Sequence, residues 1–478
     1  MILVRKTWAR LGAAALAASV AAPAFAAAPA IDKGDTAWML TSSLLVLMMI
    51  VPGLALFYGG LARTKNMLSV MTQVGAVAAL TMIIWVGWGY TESFGDNGNA
   101  VIADFGKAFL RGVTPATFNP LATTIPEYVY CCFQMTFAAI TIALVLGSVV
   151  ERIKFSAVMV FGAVWLTIVY FPIAHMVWAG NGYFASKGAL DFAGGTVVHI
   201  NSGVSALVAC LILGKRIGYP KEPMPPHSLT MTGIGTGLLW VGWFGFNAGS
   251  AVAANGVAGL AMINTFVATA SAGLVWMLAE RVSGHKGSAL GFCSGIVAGL
   301  VAVTPAAGNS GPLGAIVLGA VAAVICFLAV TKLKPRLGYD DALDTFGVHG
   351  IGGMIGAIVL GAVASVVCYL AVTMMKPRLG YDDALDTFGV HGIGGMIGAL
   401  GTGIVNDAMF GGPANGGKTI AAQVLVQVET VAATIVWAAI GTVISIYIAK
   451  VLTGLRVSSD VEREGLDLGE HGERAYNM

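Results

Sequence analysis

The chain has 478 residues, of which 57% are hydrophobic and only 10% are charged, and its mean hydropathy is +0.82. A soluble globular domain carries roughly 25% charged residues, so this composition excludes a soluble enzyme, a disulfide-stapled secreted domain and a disordered chain. The net charge of +2, with no basic tract, gives no indication of nucleic-acid binding. We therefore expect a polytopic, all-α membrane protein.

The first 26 residues are typical of a secretory signal peptide rather than of a folded segment. A basic stretch at 5–10 precedes a short apolar run at 11–22, and the AFA sequence at 24–26 forms an AxA-type cleavage site. The apolar run is too short to cross a bilayer comfortably. We expect residues 1–26 to be removed, with Ala27 outside the inner membrane of a bacterium.

Apolar runs of about 20 residues, enough to cross a bilayer core about 30 Å thick, follow one another along the mature chain. Prolines and glycines interrupt several of them, which membrane helices tolerate. The predicted transmembrane domain, 27–453, contains eleven such runs. They are 38–61, 67–89, 128–150, 155–178, 192–213, 228–250, 256–279, 288–306, 314–331, 387–405 and 421–449.

The distribution of lysine and arginine predicts the orientation of these spans, because basic loops stay on the cytoplasmic side. With Ala27 outside, eighteen basic residues fall on the inner side and five on the outer side. The charged tail, 454–478, is then cytoplasmic. The five outer residues are Lys33, Lys107, Arg111, Lys187 and Lys418.

Residues 314–355 and 356–397 are two copies of one 42-residue unit, which differ at only five positions. Both copies begin with GAIVLGAV and end with KPRLGYDDALDTFGVHGIGGMIG. Between the two charged loops lies an uncharged run, 345–375, which is too long for one span and too short for two full spans. We therefore expect one copy to be displaced from the regular helix bundle.

Three of the seven histidines lie in apolar, glycine-rich segments at membrane depth: His199 in GGTVVHINSG, and His349 and His391 in two copies of FGVHGIGG. An ionisable side chain there is costly and marks a candidate functional site, especially when the pattern occurs once in each half of the chain. The alternative is a histidine that only hydrogen-bonds a neighbouring helix. For the others we expect solvated rings or, for His175, an interfacial one.

The aromatic residues suggest a second element of a site. Phe133 and Phe137 lie one helical turn apart, Trp178 ends a span on the expected outer side, and WFGFNAGS, at 243–250, brings aromatic rings and a hydroxyl to another outer end. Aromatic faces with a hydroxyl suit a small cation, although such a stripe is more often packing. The six cysteines show no metal-ligand spacing, so we expect neither a metal nor another cofactor.

Five segments, taken together and in order, resemble the ammonium transporter family (Amt/Mep/Rh): AHMVWAG, DFAGGTVVHINSG, WFGFNAGSA, DTFGVHGIGG and REGLDLGEHGERAY. The resemblance implies a fold of eleven helices with two inverted five-helix repeats, here with the duplicated unit in addition, and a homotrimer with a pore through each subunit. It implies a transporter of ammonium or ammonia in nitrogen metabolism, embedded in membrane lipid, and no enzyme.

The resemblance also implies roles for particular residues. Phe137, Trp178 and Ser250 match the family's outer site, where ammonium meets aromatic faces and a hydroxyl oxygen, and Asp191 matches an acidic residue that supports the backbone of this site. The matching gate residues are Phe133, Phe137 and Phe246.

His199 and one FGVHG histidine match the twin histidines of the family's central pore. We favour His391 over His349, because His391 leads without interruption into the last helix, as in the family pattern. The cytoplasmic tail and loops resemble those that bind a PII-type regulatory protein in this family.

Other functions remain as alternatives. An ammonium sensor with little or no transport would share every pore motif. A membrane haem protein would need paired histidines on facing helices, and a membrane hydrolase would need an HExxH or GxSxG motif, which the sequence lacks.

Overall fold

The computed structural model describes residues 30–219, 221–282, 284, 286–328, 399–400, 402–404, 406 and 417–476. Over these ranges the chain is helical and forms no strand, only three isolated β-bridges. The predicted signal peptide, residues 1–26, and the two FGVHG histidines, His349 and His391, lie outside the described residues.

Nine helices in the described part of the chain are long and apolar enough to cross a membrane. They are α1 Lys33–Leu61, α2 Thr64–Phe94, α3 Glu127–Leu146, α4 Phe155–Ser186, α5 Gly195–Leu213, α6 Leu229–Gly249, α7 Gly256–Val282, α8 Ala289–Ala306 and, after a shorter helix, α10 Ile420–Thr453. The shorter helix, α9 Pro312–Leu328, packs against α7 and α8. Two short helices, α11 Ser459–Glu464 and α12 Leu466–His471, follow in the tail.

Short π-helical turns interrupt three of these spans and begin a fourth. In α1 the turn contains Pro52, whose missing N–H and bulky ring prevent regular α-helical hydrogen bonding. In α5 the turn contains His199. Because π-helical turns occur frequently at functional sites, the turn at the start of α5 is a structural reason to examine His199. The four turns are Met49–Leu54, Trp85–Gly89, Leu166–Tyr170 and Gly195–Ile200.

Glycines allow some helices to approach each other more closely than any side chain would permit. A Cβ atom on Gly235 of α6 would lie 2.3 Å from the backbone nitrogen of Phe57 in α1. A Cβ atom on Gly319 of α9 would lie 2.0 Å from the backbone oxygen of Ala268 in α7. The high glycine content of the chain therefore serves helix packing at these positions.

The two ends of the duplicated region are both part of the bundle. Helix α9, which packs on α7, belongs to the first copy. Ala399, two residues after the second copy, is fully buried and its backbone oxygen accepts a hydrogen bond of 2.6 Å from Gln427 of α10. The additional 42 residues therefore lie between Leu328 and Ala399 in the chain.

A buried carboxylate gathers two arginines at the bundle end opposite Trp178. Glu151, with φ at 70°, pairs through Oε2 with Arg216 at 2.8 Å and with Arg63 at 3.1 Å, and its Oε1 accepts a hydrogen bond from Asn66. Burial alone would raise the pKa of Glu151, but the two guanidinium groups outweigh it and lower that pKa to about 2. We call these four residues the Glu151 cluster.

The tail folds against the Glu151 cluster. Leu466 donates its backbone N–H to Asn66, and Ser69, at the start of α2, donates its backbone N–H to the Asp467 carboxylate. Glu462 forms an ion pair of 2.8 Å with Arg456. The tail is therefore an ordered part of the fold at this end of the bundle.

Candidate functional site

A cavity of about 200 Å³ lies at the end of the bundle where the regular part of α4 stops at Trp178. Residues from α3, from the end of α4, from the segment after α6 and from the loops before α3 and α5 surround it. Its lining is neutral, without Asp, Glu, Lys or Arg. The lining residues are Leu121, Tyr130, Phe133, Gln134, Phe137, Trp178, Phe192, Ser250 and Val252.

A hydrogen bond to the backbone fixes the Trp178 indole beside the cavity. Its Nε1–H donates to the backbone oxygen of Asp191 at 2.9 Å. The indole contacts the Phe137 ring edge to face, with 5.6 Å between centroids and 80° between planes. The position of Trp178 therefore depends on the loop that contains Asp191.

The Asp191 carboxylate caps the start of α5 and does not line the cavity. Oδ1 accepts the N–H of Gly194, and Oδ2 accepts those of Thr196 and Val197, each at 3.0 Å. Burial raises the pKa of Asp191 to about 6, although the backbone donors act in the opposite direction. The carboxylate is therefore ionised at neutral pH, where it satisfies amides that a helix start otherwise leaves unpaired.

The hydroxyl of Ser250 supplies acceptor oxygen to the cavity. Its O–H donates to the backbone oxygen of Phe246 at 2.8 Å. Because the hydroxyl proton is used in this way, the lone pairs of Oγ remain to accept a hydrogen bond from a donor in the cavity.

Below the cavity, aromatic rings form a continuous column toward His199. Phe133 and Phe137 have centroids 4.9 Å apart, and Phe137 and Phe246 are stacked at 4.2 Å with 13° between planes. Phe246 in turn contacts the His199 ring at 6.2 Å. The structure thus brings Trp178, the three phenylalanines and His199 together, as the sequence motifs indicated.

The imidazole of His199 is 1% exposed and lies against Trp243, with 5.9 Å between ring centroids and 17° between planes. The Trp243 Nε1–H donates to the Thr304 hydroxyl at 2.7 Å. The sequence suggested that the aromatic rings of 243–250 lie together at a span end. In the structure only the end of this segment reaches the cavity, because Trp243 lies two helical turns before Ser250, at the level of His199.

Several residues of the cavity were not predicted from the sequence. Gln134 lies next to Phe133, and its amide N–H donates to the Tyr130 hydroxyl at 3.2 Å. A polar residue within the apolar FQMTF sequence was the signal that could have indicated it. Val252 lines the cavity, and its φ of 55° is an unusual value for a β-branched residue. Local sequence gave no signal for it.

Among the described residues, no cluster of three or more His, Cys, Asp or Glu side chains could hold a metal ion. The polar and aromatic groups that line the cavity are aromatic rings, hydroxyls and the Gln134 amide.

Comparison with known proteins gives a consistent result over the length of the chain. The model of the "Ammonium Transporter Family" matches residues 37–360 and 354–476, so that each match includes one copy of the FGVHG motif. An ammonium transporter of Aquifex aeolicus is 42% identical over 456 residues, 95% of this chain and 96% of the relative. One of Bacillus subtilis is 41% identical over 93% of this chain and 99% of the relative.

Solved structures agree with this result. The crystal structure of Candida albicans Mep2 has a TM-score of 0.72 and 32% identity, covering 90% of this chain and 87% of that one. A structure described as a sensor Amt protein has a TM-score of 0.74 at 24% identity, over 91% of this chain and 98% of that one, and this likeness concerns the fold alone.

Proposed function

Because the chain belongs to the ammonium transporter family, we propose that this multi-pass membrane protein recruits ammonium at the cavity beside Trp178. The ion then transfers a proton to the pore histidines, His199 and a second one, which relay it while ammonia passes them. The observation that carries the proposal is the unbroken line of contacts from Trp178 through Phe137 and Phe246 to His199.

The chemistry of the cavity supports ammonium as the ligand. Trp178 and Phe137 offer π-electron density that attracts a small cation. Ser250 offers a hydroxyl oxygen that accepts an N–H from the ion. A neutral lining without a carboxylate binds such an ion weakly enough to release it, which transport requires.

The stacked rings below the cavity support deprotonation. Phe137 and Phe246 are in contact and close the way below the cavity with apolar rings, so a bare cation that passed them would lose its hydration without gaining comparable partners. Ammonium avoids this cost by losing a proton, whereas potassium, an ion of similar size, has no proton to lose. Selectivity then follows from deprotonation combined with desolvation.

His199 provides hydrogen bonding beyond the rings. A neutral imidazole both donates and accepts a hydrogen bond, so it can guide ammonia or relay a proton to a second histidine. For that second histidine we propose His391 rather than His349. In support, Ala399 follows His391 by eight residues and is buried against α10, so the second copy leads directly into the bundle.

We further propose the family's homotrimer in a bacterial inner membrane. The mature N-terminus and the Trp178 end would be periplasmic, the tail cytoplasmic, and a PII-type protein would bind at the tail end. Exposed apolar side chains on α7 and α10, such as Leu274 at 64% and Ile440 at 58%, support burial of these faces by lipid or by neighbouring subunits.

Uptake of labelled methylammonium into proteoliposomes, recorded together with proton current, tests the proposal. We expect saturable uptake that ammonium inhibits and potassium does not. Binding of ammonium without uptake would contradict transport and would favour the sensor alternative.

A further inference from the structure

Gln427 of α10 pairs with the backbone of the loop before α5. Its Oε1 accepts the N–H of Leu190 at 2.8 Å, and its Nε2 donates to the backbone oxygen of Leu190 at 2.7 Å. The same amide nitrogen donates to the backbone oxygen of Ala399 at 2.6 Å. One side chain, 1% exposed, thus connects two segments that are far apart in the sequence.

The loop needs these partners because it has no helix of its own. Backbone N–H and C=O groups that are buried without a partner are costly, particularly near a membrane interior. Gln423, one turn earlier on α10, donates its amide to the backbone oxygen of Gly188 at 2.8 Å. Helix α10 therefore supplies, through two glutamines, hydrogen bonds that regular secondary structure would otherwise provide.

The residue next to Leu190 connects this arrangement to the cavity. The backbone oxygen of Asp191 accepts the indole N–H of Trp178, and the Asp191 carboxylate caps the π-helical turn that contains His199. A shift of Leu190 would therefore move the aromatic wall of the cavity and the start of the histidine helix together.

We propose that Gln427 is a positioning residue. By holding Leu190, it sets the position of the Trp178 indole relative to the Phe137 ring. By holding Ala399, it fixes the point at which the chain after the repeated FGVHG motif meets the same loop. This proposal rests on the proposed function in assuming that Trp178 binds the transported ion. An apolar residue would pack equally well on a membrane helix, so the hydrogen bonds account for a glutamine at this position.

The variant Gln427→Met tests the proposal, because it keeps an unbranched side chain of similar size and removes the three hydrogen bonds to Leu190 and Ala399, together with a long one of 3.5 Å from Gln423. Thr430→Val is the matched control. Thr430 lies nearby on α10, is equally buried, and donates only to Val426 of its own helix. We expect Gln427→Met to raise the half-saturation concentration for methylammonium by about tenfold, the effect of losing one to two net hydrogen bonds, and Thr430→Val to leave it unchanged.

A second readout separates positioning from general stability. In a Trp178→Leu background, Gln427→Met should add little to the half-saturation concentration, since it acts through the indole that is already absent. Fully additive effects of the two substitutions would overturn the proposal.

Hydrogen–deuterium exchange separates the proposal from the transport function itself. We expect faster exchange in Gln427→Met than in Thr430→Val at the amides of Leu190, Gly194 and Thr196. Unchanged exchange there would overturn the positioning role even if transport fell. If the unmodified protein took up no methylammonium, the proposed function would fail, and faster exchange in this segment would still support Gln427 as the residue that holds it.

Discussion

The rings of Phe137 and Phe246 lie face to face at 4.2 Å, and this stack separates the cavity beside Trp178 from the imidazole of His199. Stacked aromatic pairs contribute about 0.5–1.5 kcal/mol beyond the area they bury. The stacking energy is therefore only a small part of the cost of separating these rings, which in the proposed mechanism part transiently to let ammonia through.

Trp178 provides the first test of the site. Replacing it with Leu removes the aromatic face and keeps an apolar wall, so we expect the half-saturation concentration for methylammonium to rise by about tenfold, which corresponds to a cation–π contribution of 1–2 kcal/mol. Uptake into proteoliposomes over a range of concentrations measures this change.

Trp437→Leu is the control for that substitution. Trp437 is 37% exposed and its indole donates to the backbone oxygen of Ile168, away from the cavity. We expect it to leave the half-saturation concentration unchanged. Equal effects of the two variants would contradict a special role for Trp178.

The histidines provide the second test. We expect His199→Ala and His391→Ala each to lower the maximal rate of methylammonium uptake by roughly tenfold or more, since each removes an imidazole to which the proposed mechanism assigns hydrogen bonding or proton relay. His349→Ala should transport like the unmodified protein. The reverse result for the two FGVHG histidines would assign the pore position to His349.

The third prediction concerns the duplication. Deleting residues 329–370 joins Leu328 to Ala371 and removes one complete 42-residue unit, because Leu328 and Leu370 occupy the same position in the two copies. Both retained ends, α9 and Ala399, already belong to the bundle. We therefore expect the shortened protein to fold, to resist thermal unfolding at least as well, and to transport methylammonium at an undiminished rate. Loss of uptake by a folded deletion variant would show that both copies are required.

The sequence predicted the membrane class and, for the described spans, most of the boundaries, because these depend on local patterns of apolar residues. The grouping of Phe137, Phe246 and His199 came instead from the resemblance to a family. Contacts between distant segments could not be predicted in this way. His175 is a clear case: we expected an interfacial ring, and it is fully buried, with its two ring nitrogens facing the backbone oxygens of Ser93 and Asn99.

His227 and Gln427 illustrate the same limit. His227 was expected to be solvated, yet its ring contacts the backbone oxygen of Ala62 and the hydroxyl of Tyr476, which is 249 positions away in the tail. A glutamine within a long apolar helix gives no local indication that it pairs with Leu190. The run predicted to begin at 192 starts as a helix at Gly195, because the Asp191 carboxylate caps it there.

The fourth prediction follows from the Glu151 cluster. The pKa of Glu151 lies at about 2 in the folded protein, below its ordinary value of 4.5. A lowered pKa contributes stability above the ordinary value, and that contribution is lost as pH falls from about 4.5 toward 2. We expect acid to weaken the contact between tail and bundle, measured as faster limited proteolysis of the tail in this range.

The variant Glu151→Gln should weaken the same contact already at neutral pH, by about 2 kcal/mol, since it removes the charged carboxylate that pairs with two partly buried arginines. On acidification, the rate at which its tail is proteolysed should also rise less than that of the unmodified protein. Glu464→Gln, at an exposed position of α11, is the control and should behave like the unmodified protein. An acid response that Glu151→Gln leaves intact would place the responsible group elsewhere.

The last prediction concerns Asp191, whose pKa of about 6 places its protonation within reach of an uptake assay. The ionised carboxylate accepts hydrogen bonds from three backbone N–H groups. In the protonated carboxyl group one oxygen carries the proton and accepts poorly, so the group holds the start of α5 less firmly. Methylammonium stays protonated throughout this range, so the substrate itself does not change. We expect uptake to decline as pH falls through about 6, and Asp191→Asn, which carries a permanently neutral side chain of the same shape, to transport at a low, pH-independent rate. If Asp191→Asn showed the same decline as the unmodified protein, another group would control it, and the carboxylate would act through its shape alone.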